Sequence, residues 1–155
     1  MDKYNRFFTP TLYRMIRTDW AILMLATMIA AALHWREINW WIFMAMFWWI
    51  DILGTFPGTF LQKKKPDRKV PEWCILLYNF CHSFTTVGVI TAAWYALYGP
   101  AWEMLAMPMH LAADRSIFGN IYKRIDPKFE PGPHPAFLRF DEDFRRAQQV
   151  ARSEQ

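Results

Sequence analysis

Four apolar stretches, each close to the length that crosses a bilayer, constrain this chain more than any other feature. They lie at about residues 19–35, 39–61, 73–98 and 101–118. The hydrocarbon core of a bilayer is about 30 Å thick, and about 20 apolar residues in a helix cross it. We therefore expect an all-α membrane protein in which four transmembrane helices form a bundle.

The fourth stretch is the least apolar of the four. It contains Glu103, Pro108, His110, Asp114 and Arg115, and charged side chains are rare in spanning helices because they are costly there. A re-entrant or interfacial segment is therefore the alternative for residues 101–118.

The basic residues are distributed unequally between the two sides of this four-span topology. Sixteen of the eighteen lysines and arginines fall on one side, among them Lys3, Arg6, Arg14, Arg17, Lys63, Lys64, Lys65, Arg68 and Lys69. Lysine and arginine near the ends of spans are retained in the cytoplasm, so we expect both termini to be cytoplasmic. The net charge of +4 then reflects topology, and nucleic acid is not expected as a partner.

A cytoplasmic tail is expected to follow the transmembrane domain, with residues 1–123 in the domain and 124–155 in the tail. Prolines 127, 131, 133 and 135 favour an extended path. Acidic residues 141–143 then precede Arg145 and Arg146, an order that favours a short helix. His134 in this tail is expected to be solvated, and His34 to lie at the outer membrane interface. The tail and an aromatic outer surface are candidate contacts with a larger membrane complex.

A group of polar residues falls inside the predicted spans at similar depth. Its members are Asp51 in the second stretch, Asn79, His82 and Ser83 in the third, and His110 and Asp114 in the fourth. Spacings of three and four residues place those of each stretch on one helix face. Because buried ionisable groups in a membrane usually mark function, we expect a site in the cytoplasmic half of the bundle.

The residue types in this group suit a divalent metal ion such as zinc or iron. His82, His110, Asp114 and Asp51 supply the imidazole and carboxylate ligands that such ions take. Asp51 is an alternative general base, while Asn79, Ser83 and Arg115 are candidates to orient an ester or phosphate. This interpretation predicts a metal-assisted hydrolase acting on a lipid-like substrate.

Three other interpretations of the same residues remain open from the sequence. The polar groups could satisfy one another in a structural hydrogen-bond network. His82 and His110 could be axial ligands of a haem or a chlorophyll-type pigment. The group could also conduct protons or ions. The sequence thus leaves open whether the chain is an enzyme or a non-catalytic accessory subunit of a respiratory or photosynthetic membrane complex.

Two sequence blocks resemble a known protein family. They read Tyr78-Asn79-x-x-His82-Ser83 and His110-Leu111-x-x-Asp114-Arg115-x-x-Phe118-Gly119. Over residues 51–123 the pattern is similar to that of an uncharacterised bacterial family of small four-helix membrane proteins, domain of unknown function 4260. The resemblance singles out Asn79, His82, His110, Asp114 and Arg115, and it implies a location in the bacterial cytoplasmic membrane. A single glycine, Gly119, stands where the family tends to have two.

Overall fold

The computed structural model describes residues 10–130, 132 and 135–153, and the described residues form helices and loops without a β-strand. Lys3, Arg6, Pro131, Pro133 and His134, which entered the sequence predictions, lie outside them. The helices are α1 (Pro10–Leu33), α2 (Trp40–Gly54), α3 (Phe56–Lys64), α4 (Glu72–Cys81), α5 (Phe84–Tyr98), α6 (Ala106–Ala113) and α7 (Pro135–Ser153).

Two helical segments are long and apolar enough to cross a membrane. They are Thr11–Leu33 and Trp40–Lys64, with mean hydropathies of 1.5 and 1.2. A third candidate exists if α4 and α5, which are bent by 55° relative to each other, count as one span. The all-helical class and the membrane-spanning helices agree with the sequence prediction. Four spans, and the cytoplasmic position of both termini, stay predictions.

Two of the predicted spans are interrupted in the structure. The helix expected over residues 73–98 is broken at His82 and Ser83, and the Ser83 side chain caps α5 by accepting a hydrogen bond from Thr85 N. The second span is divided at Thr55 into α2 and α3, and Pro57 occupies the first turn of α3. Proline has no backbone N–H to donate, so it suits a helix start better than a helix interior.

The fourth predicted segment is an interior helix of the bundle. It comprises a 3₁₀ turn (Trp102–Leu105), α6 and a π-helical turn (Asp114–Phe118), and α6 packs against both α1 and α2. Glu103 is buried, and its Oε1 accepts a hydrogen bond of 2.6 Å from the backbone N–H of Asn39. Protein rather than lipid surrounds this segment, which explains how it carries polar residues. Its crossing of the membrane stays a prediction.

Residues 119–130 form an irregular segment, here called the strap, that lies against α3 and α4. Phe129 is completely buried beside Gly58 and Tyr78, and Val70 N donates to Pro127 O. An isolated antiparallel bridge also joins Lys69 to Lys128. Packing on the bundle therefore continues past residue 123, and the predicted tail helix follows as α7, a 19-residue helix.

The surfaces of the candidate spans are strongly apolar. In the most apolar window of Thr11–Leu33 only 11% of the residues are buried. Large exposed apolar side chains on the candidate spans include Ile22, Leu25, Ile29, Trp41 and Leu97. Apolar surface of this extent is covered in stable proteins by lipid or by a partner.

Candidate metal centre

Four side chains from three parts of the chain converge in the interior. Asp51 lies on α2, His82 lies at the break between α4 and α5, and His110 and Asp114 lie one helical turn apart at the end of α6. We call these four residues the His/Asp cluster. The structure thus brings together all four residues that the sequence predicted as metal ligands. Asp51 is 11 residues from the start of Trp40–Lys64 and 13 from its end, and the position of the cluster in the cytoplasmic half of the bundle stays a prediction.

The distances within the His/Asp cluster are nearly uniform. His82 Nε2 lies 3.2 Å from Asp114 Oδ2 and 3.5 Å from Asp51 Oδ1. His110 Nε2 lies 3.7 Å from Asp114 Oδ2 and 3.8 Å from Asp51 Oδ2. Ligand atoms about 2.0 to 2.1 Å from a tetrahedral zinc ion lie about 3.3 Å from one another. Asp51, His82 and His110 each offer an atom within 4.8 Å of the other two, and Asp114 Oδ2 lies beside both imidazoles. The two imidazoles and one carboxylate could therefore hold one ion.

The two Nε2 atoms lack hydrogen-bond partners among the described residues, and both are buried. A buried polar atom left unpaired costs about 1 to 3 kcal/mol. A structural network would remove this cost by forming aligned hydrogen bonds. Here the nitrogen atoms lie at ion-pair distance from two carboxylates without such alignment, an arrangement that fits ligands around a common ion as well as a set of His–Asp ion pairs.

Two hydrogen bonds fix the orientation of cluster members. His82 Nδ1 lies 2.9 Å from Tyr78 O; donation to this carbonyl leaves Nε2 with its lone pair directed at the carboxylates. The Thr55 hydroxyl donates to Asp51 Oδ1 over 2.6 Å. Sequence reasoning missed the orienting roles of Tyr78 and Thr55, although each lies four residues from the ligand that it contacts, on the same helix face.

Irregularities in the local backbone position His82 and Asp114 in the His/Asp cluster. The break after Cys81 gives His82 a non-helical conformation, and its carbonyl accepts a hydrogen bond of 3.3 Å from Arg115 Nη2. Asp114 begins the π-helical turn, which ends at Gly119 with φ of 73°. Such π turns often occur at functional sites. Positive φ is accessible to glycine without strain, so the turn can close at this point.

The two carboxylates of the cluster are more exposed than its imidazoles. The Asp51 side chain has 35% of its surface exposed and that of Asp114 16%, compared with 2% for His82 and 4% for His110. On α2, its neighbours Trp48 and Ile52 are exposed apolar residues. On another side, the Tyr78 ring stacks on His82 with 3.9 Å between centroids, and the strap covers Tyr78. Asp51 therefore connects the cluster with the apolar surface of the bundle.

Asn79, predicted as a catalytic residue, lies against the strap. Its Nδ2 donates to Lys123 O and its Oδ1 accepts from Lys123 N, both over 2.7 Å. Both bonds involve backbone groups of a segment that lacks regular structure. The geometry assigns Asn79 an anchoring contact, and its catalytic role stays a prediction.

Replacing Asn79 by alanine is expected to destabilise the protein by about 1 to 3 kcal/mol, because two hydrogen bonds of about 0.5 to 1.5 kcal/mol each are lost. Bound metal should remain stoichiometric. Chemical unfolding in mixed micelles together with metal analysis tests this expectation. Loss of metal without loss of stability would instead place Asn79 in the site.

Arg115, the third residue predicted as catalytic, is buried in an aromatic cage. Its Cζ lies 4.5 Å from the ring centroids of both Trp20 and Phe84 and 5.8 Å from that of Tyr122. These cation–π contacts and the bond to His82 O hold the guanidinium beside the cluster. In this position it supports the His82 backbone, and contact with a substrate anion stays a prediction.

His34, just after α1, belongs to a separate polar group. Its ring stacks on Trp102 with 3.7 Å between centroids, and its Nδ1–H donates to Glu37 Oε1 over 2.8 Å. This hydrogen bond lowers the pKa of Glu37 from its ordinary value. His34 is therefore part of a local contact between the α1–α2 turn and the 3₁₀ turn, and it serves as a control for experiments on the cluster.

The geometry also bears on the pigment interpretation. The rings of His82 and His110 have centroids 5.8 Å apart and are inclined by 60°. Both carboxylates lie within 3.8 Å of the His110 Nε2 atom, where a macrocycle would need open equatorial space. A bare ion fits these residues better than haem or chlorophyll.

Comparison of the chain with protein-family profiles, with curated protein sequences and with solved structures gives no match in any of the three. The resemblance to the bacterial four-helix family accordingly stays a prediction from the two sequence blocks.

Proposed function

We propose that this protein is a membrane metalloenzyme of the bacterial cytoplasmic membrane, in which His82, His110 and Asp114 hold a zinc or iron ion and Asp51 lies beside it. The observation that carries the proposal is the pair of buried Nε2 atoms that make no aligned hydrogen bond and face two carboxylates at 3.2 to 3.8 Å. Asp51, the most exposed of the four residues, borders the side where a water molecule and a substrate would bind.

The reaction class that we propose is hydrolysis of a lipid-like substrate. A divalent ion with an open position lowers the pKa of bound water and polarises a carbonyl or phosphoryl oxygen. Asp51 is placed to accept the proton of that water, since Thr55 holds its carboxylate at the edge of the cluster. Access past the exposed Trp48 and Ile52 favours a substrate that reaches the site from within the bilayer.

Lipid turnover provides the test of this proposal. Metal-loaded protein in vesicles of bacterial lipid extract should release new carboxylic or phosphoric acids, detected by mass spectrometry. Asp51→Asn should reduce the release at least about 100-fold, as expected for loss of a general base. His34→Gln should leave it unchanged. Stoichiometric metal with unchanged lipid composition would exclude the hydrolase and keep the metal site.

A second candidate is an accessory subunit of a larger membrane complex. The extensive exposed apolar surface of α1 and α5 favours it, and α7 would extend the contact. This candidate would be supported if the protein had no hydrolytic turnover and co-purified with other membrane subunits, and if removal of residues 135–155 abolished the co-purification.

A further inference from the structure

A second feature of the molecule, remote from the His/Asp cluster, is a concentration of positive charge at the end of α3. It comprises six exposed residues, Lys63, Lys64, Lys65, Arg68, Lys69 and Lys128, which we call the basic surface. We propose that it binds the headgroup of an anionic phospholipid.

The fold brings this charge together from two distant parts of the sequence. The bridge between Lys69 and Lys128, with Val70 N donating to Pro127 O over 2.7 Å, joins the α3–α4 loop to the strap. Residues 62–72 and 123–130 contain eight basic and four acidic residues. The net charge of these two segments is therefore positive. One of the acidic residues, Asp126, forms an ion pair with Arg124 at 3.0 Å.

Hydrogen bonds hold the loop in one conformation. Arg68 N donates to Lys65 O over 3.0 Å, and Lys69 N donates to Asp67 Oδ1 over 3.1 Å. On the strap side, Glu130 N donates to Gln62 Oε1 over 3.0 Å. The ammonium groups therefore extend from a fixed backbone, which reduces the entropy lost when a ligand binds.

An apolar stripe leads from the membrane interior to this charge. Ile52, Phe56, Phe60 and Lys64 follow one another at intervals of four residues and thus share one face. The three apolar side chains are exposed, and the Phe56 and Phe60 rings stack with centroids 5.6 Å apart. Lys64 Nζ lies 4.3 Å above the Phe60 ring, as in a lysine that extends toward a membrane interface.

The stripe has the dimensions of one leaflet. From Ile52 to Lys64 it rises about 18 Å at 1.5 Å per residue, close to half of the about 30 Å hydrocarbon core. An acyl chain can lie along the three apolar residues while its phosphate contacts the lysines. This continuity favours a lipid over a soluble acidic protein or free phosphate. The same distance separates the headgroup from the cluster, so the lipid is a bound partner rather than the hydrolysed substrate.

Native mass spectrometry of the delipidated full-length protein tests the proposal. The probes are dimyristoyl phosphatidylglycerol and dimyristoyl phosphatidylcholine, titrated separately. Each basic residue near a membrane surface contributes about fivefold in affinity for anionic lipid. We expect phosphatidylglycerol to bind at least about tenfold more tightly than phosphatidylcholine. The variant Lys63→Gln/Lys64→Gln/Lys128→Gln, which removes half of the basic surface, should reduce this preference at least about tenfold.

The matched control removes positive charge elsewhere. Arg145→Gln/Arg146→Gln changes two exposed arginines of α7 that pair with Asp141 and Glu142, and it should keep the preference. Equal binding of the two lipids, or a preference that survives the triple substitution, would overturn the proposal. Displacement of phosphatidylglycerol by millimolar inorganic phosphate would also overturn it, because it would reveal a site for free anions. None of these outcomes depends on the metal or on hydrolysis.

Discussion

Replacing His110 by glutamine is expected to lower the affinity for zinc by more than about 100-fold. Loss of an outer hydrogen-bond partner of a ligand typically costs 10 to 100-fold, and removal of a ligand itself should cost more. His110 Nε2 is buried and contacts both carboxylates of the cluster, so no other described side chain replaces it there. Titration of the purified protein with zinc against a competing chelator measures the change.

A graded series makes this expectation specific. Thr55→Val keeps the shape of the side chain but removes the hydroxyl that donates to Asp51 Oδ1; it should cost about 10-fold. His34→Gln removes an imidazole outside the cluster and should have no effect. Affinity should also fall as pH is lowered, because histidine and aspartate must be deprotonated to bind the ion. Equal losses in all three variants would indicate unfolding rather than coordination.

The second large effect is expected at the strap. Phe129→Ala should destabilise the protein by about 3 to 5 kcal/mol, the usual cost of removing a fully buried phenylalanine. The side chain is completely buried and fills the space beside Gly58 and Tyr78. Unfolding in mixed micelles measures the free energy, and limited proteolysis within residues 119–130 reports release of the strap.

Gly58 provides a double-mutant test of this contact. A β-carbon at position 58 would clash with the Phe129 ring, so Gly58→Ala should destabilise the protein by about 1 to 3 kcal/mol. In the Phe129→Ala background the clash disappears, and the same substitution should be close to neutral. Because contacting residues are coupled, the two effects should not add. Simple additivity would contradict the close packing of Phe129 on α3.

The sequence predicted that the residues of the cluster would converge because helical geometry is regular. His110 and Asp114 are one turn apart, and counting residues along the spans placed Asp51 and His82 at similar depth. The regular spacing of residues along each helix is sufficient to predict which side chains lie close together. The sequence also predicted the all-helical fold class, since apolar stretches of this length have few alternatives to a helix in a membrane.

The break at His82 was not predicted, because the regular spacing of residues along a helix does not indicate it. Residues 73–98 contain no proline, the polar residues His82 and Ser83 at the break also fit one face of a continuous helix, and hydropathy averages over the bend. The strap was likewise missed. Burial of Phe129 depends on the absence of a side chain at Gly58 and on the ring of Tyr78, both more than 50 residues away in the sequence. Neither the break at His82 nor the burial of Phe129 produces a periodic pattern in the sequence.

The anchoring role of Asn79 illustrates the same limit. From the sequence, an amide one turn from His82 fits a substrate contact as well as a structural contact. Its partner is the backbone of Lys123, which any residue type could supply. Only the folded arrangement of the strap distinguishes these roles.

The central claim is that His82, His110 and Asp114 bind one divalent ion beside Asp51. X-ray absorption spectroscopy of the purified protein, combined with metal analysis and a visible spectrum, tests it most directly. The account predicts one zinc or iron ion per chain, two imidazole ligands, a first shell of nitrogen and oxygen at about 2.0 to 2.2 Å, and no pigment band. A folded protein that contains less than about 0.1 ion per chain after zinc loading, or a first shell that contains sulfur, would contradict it.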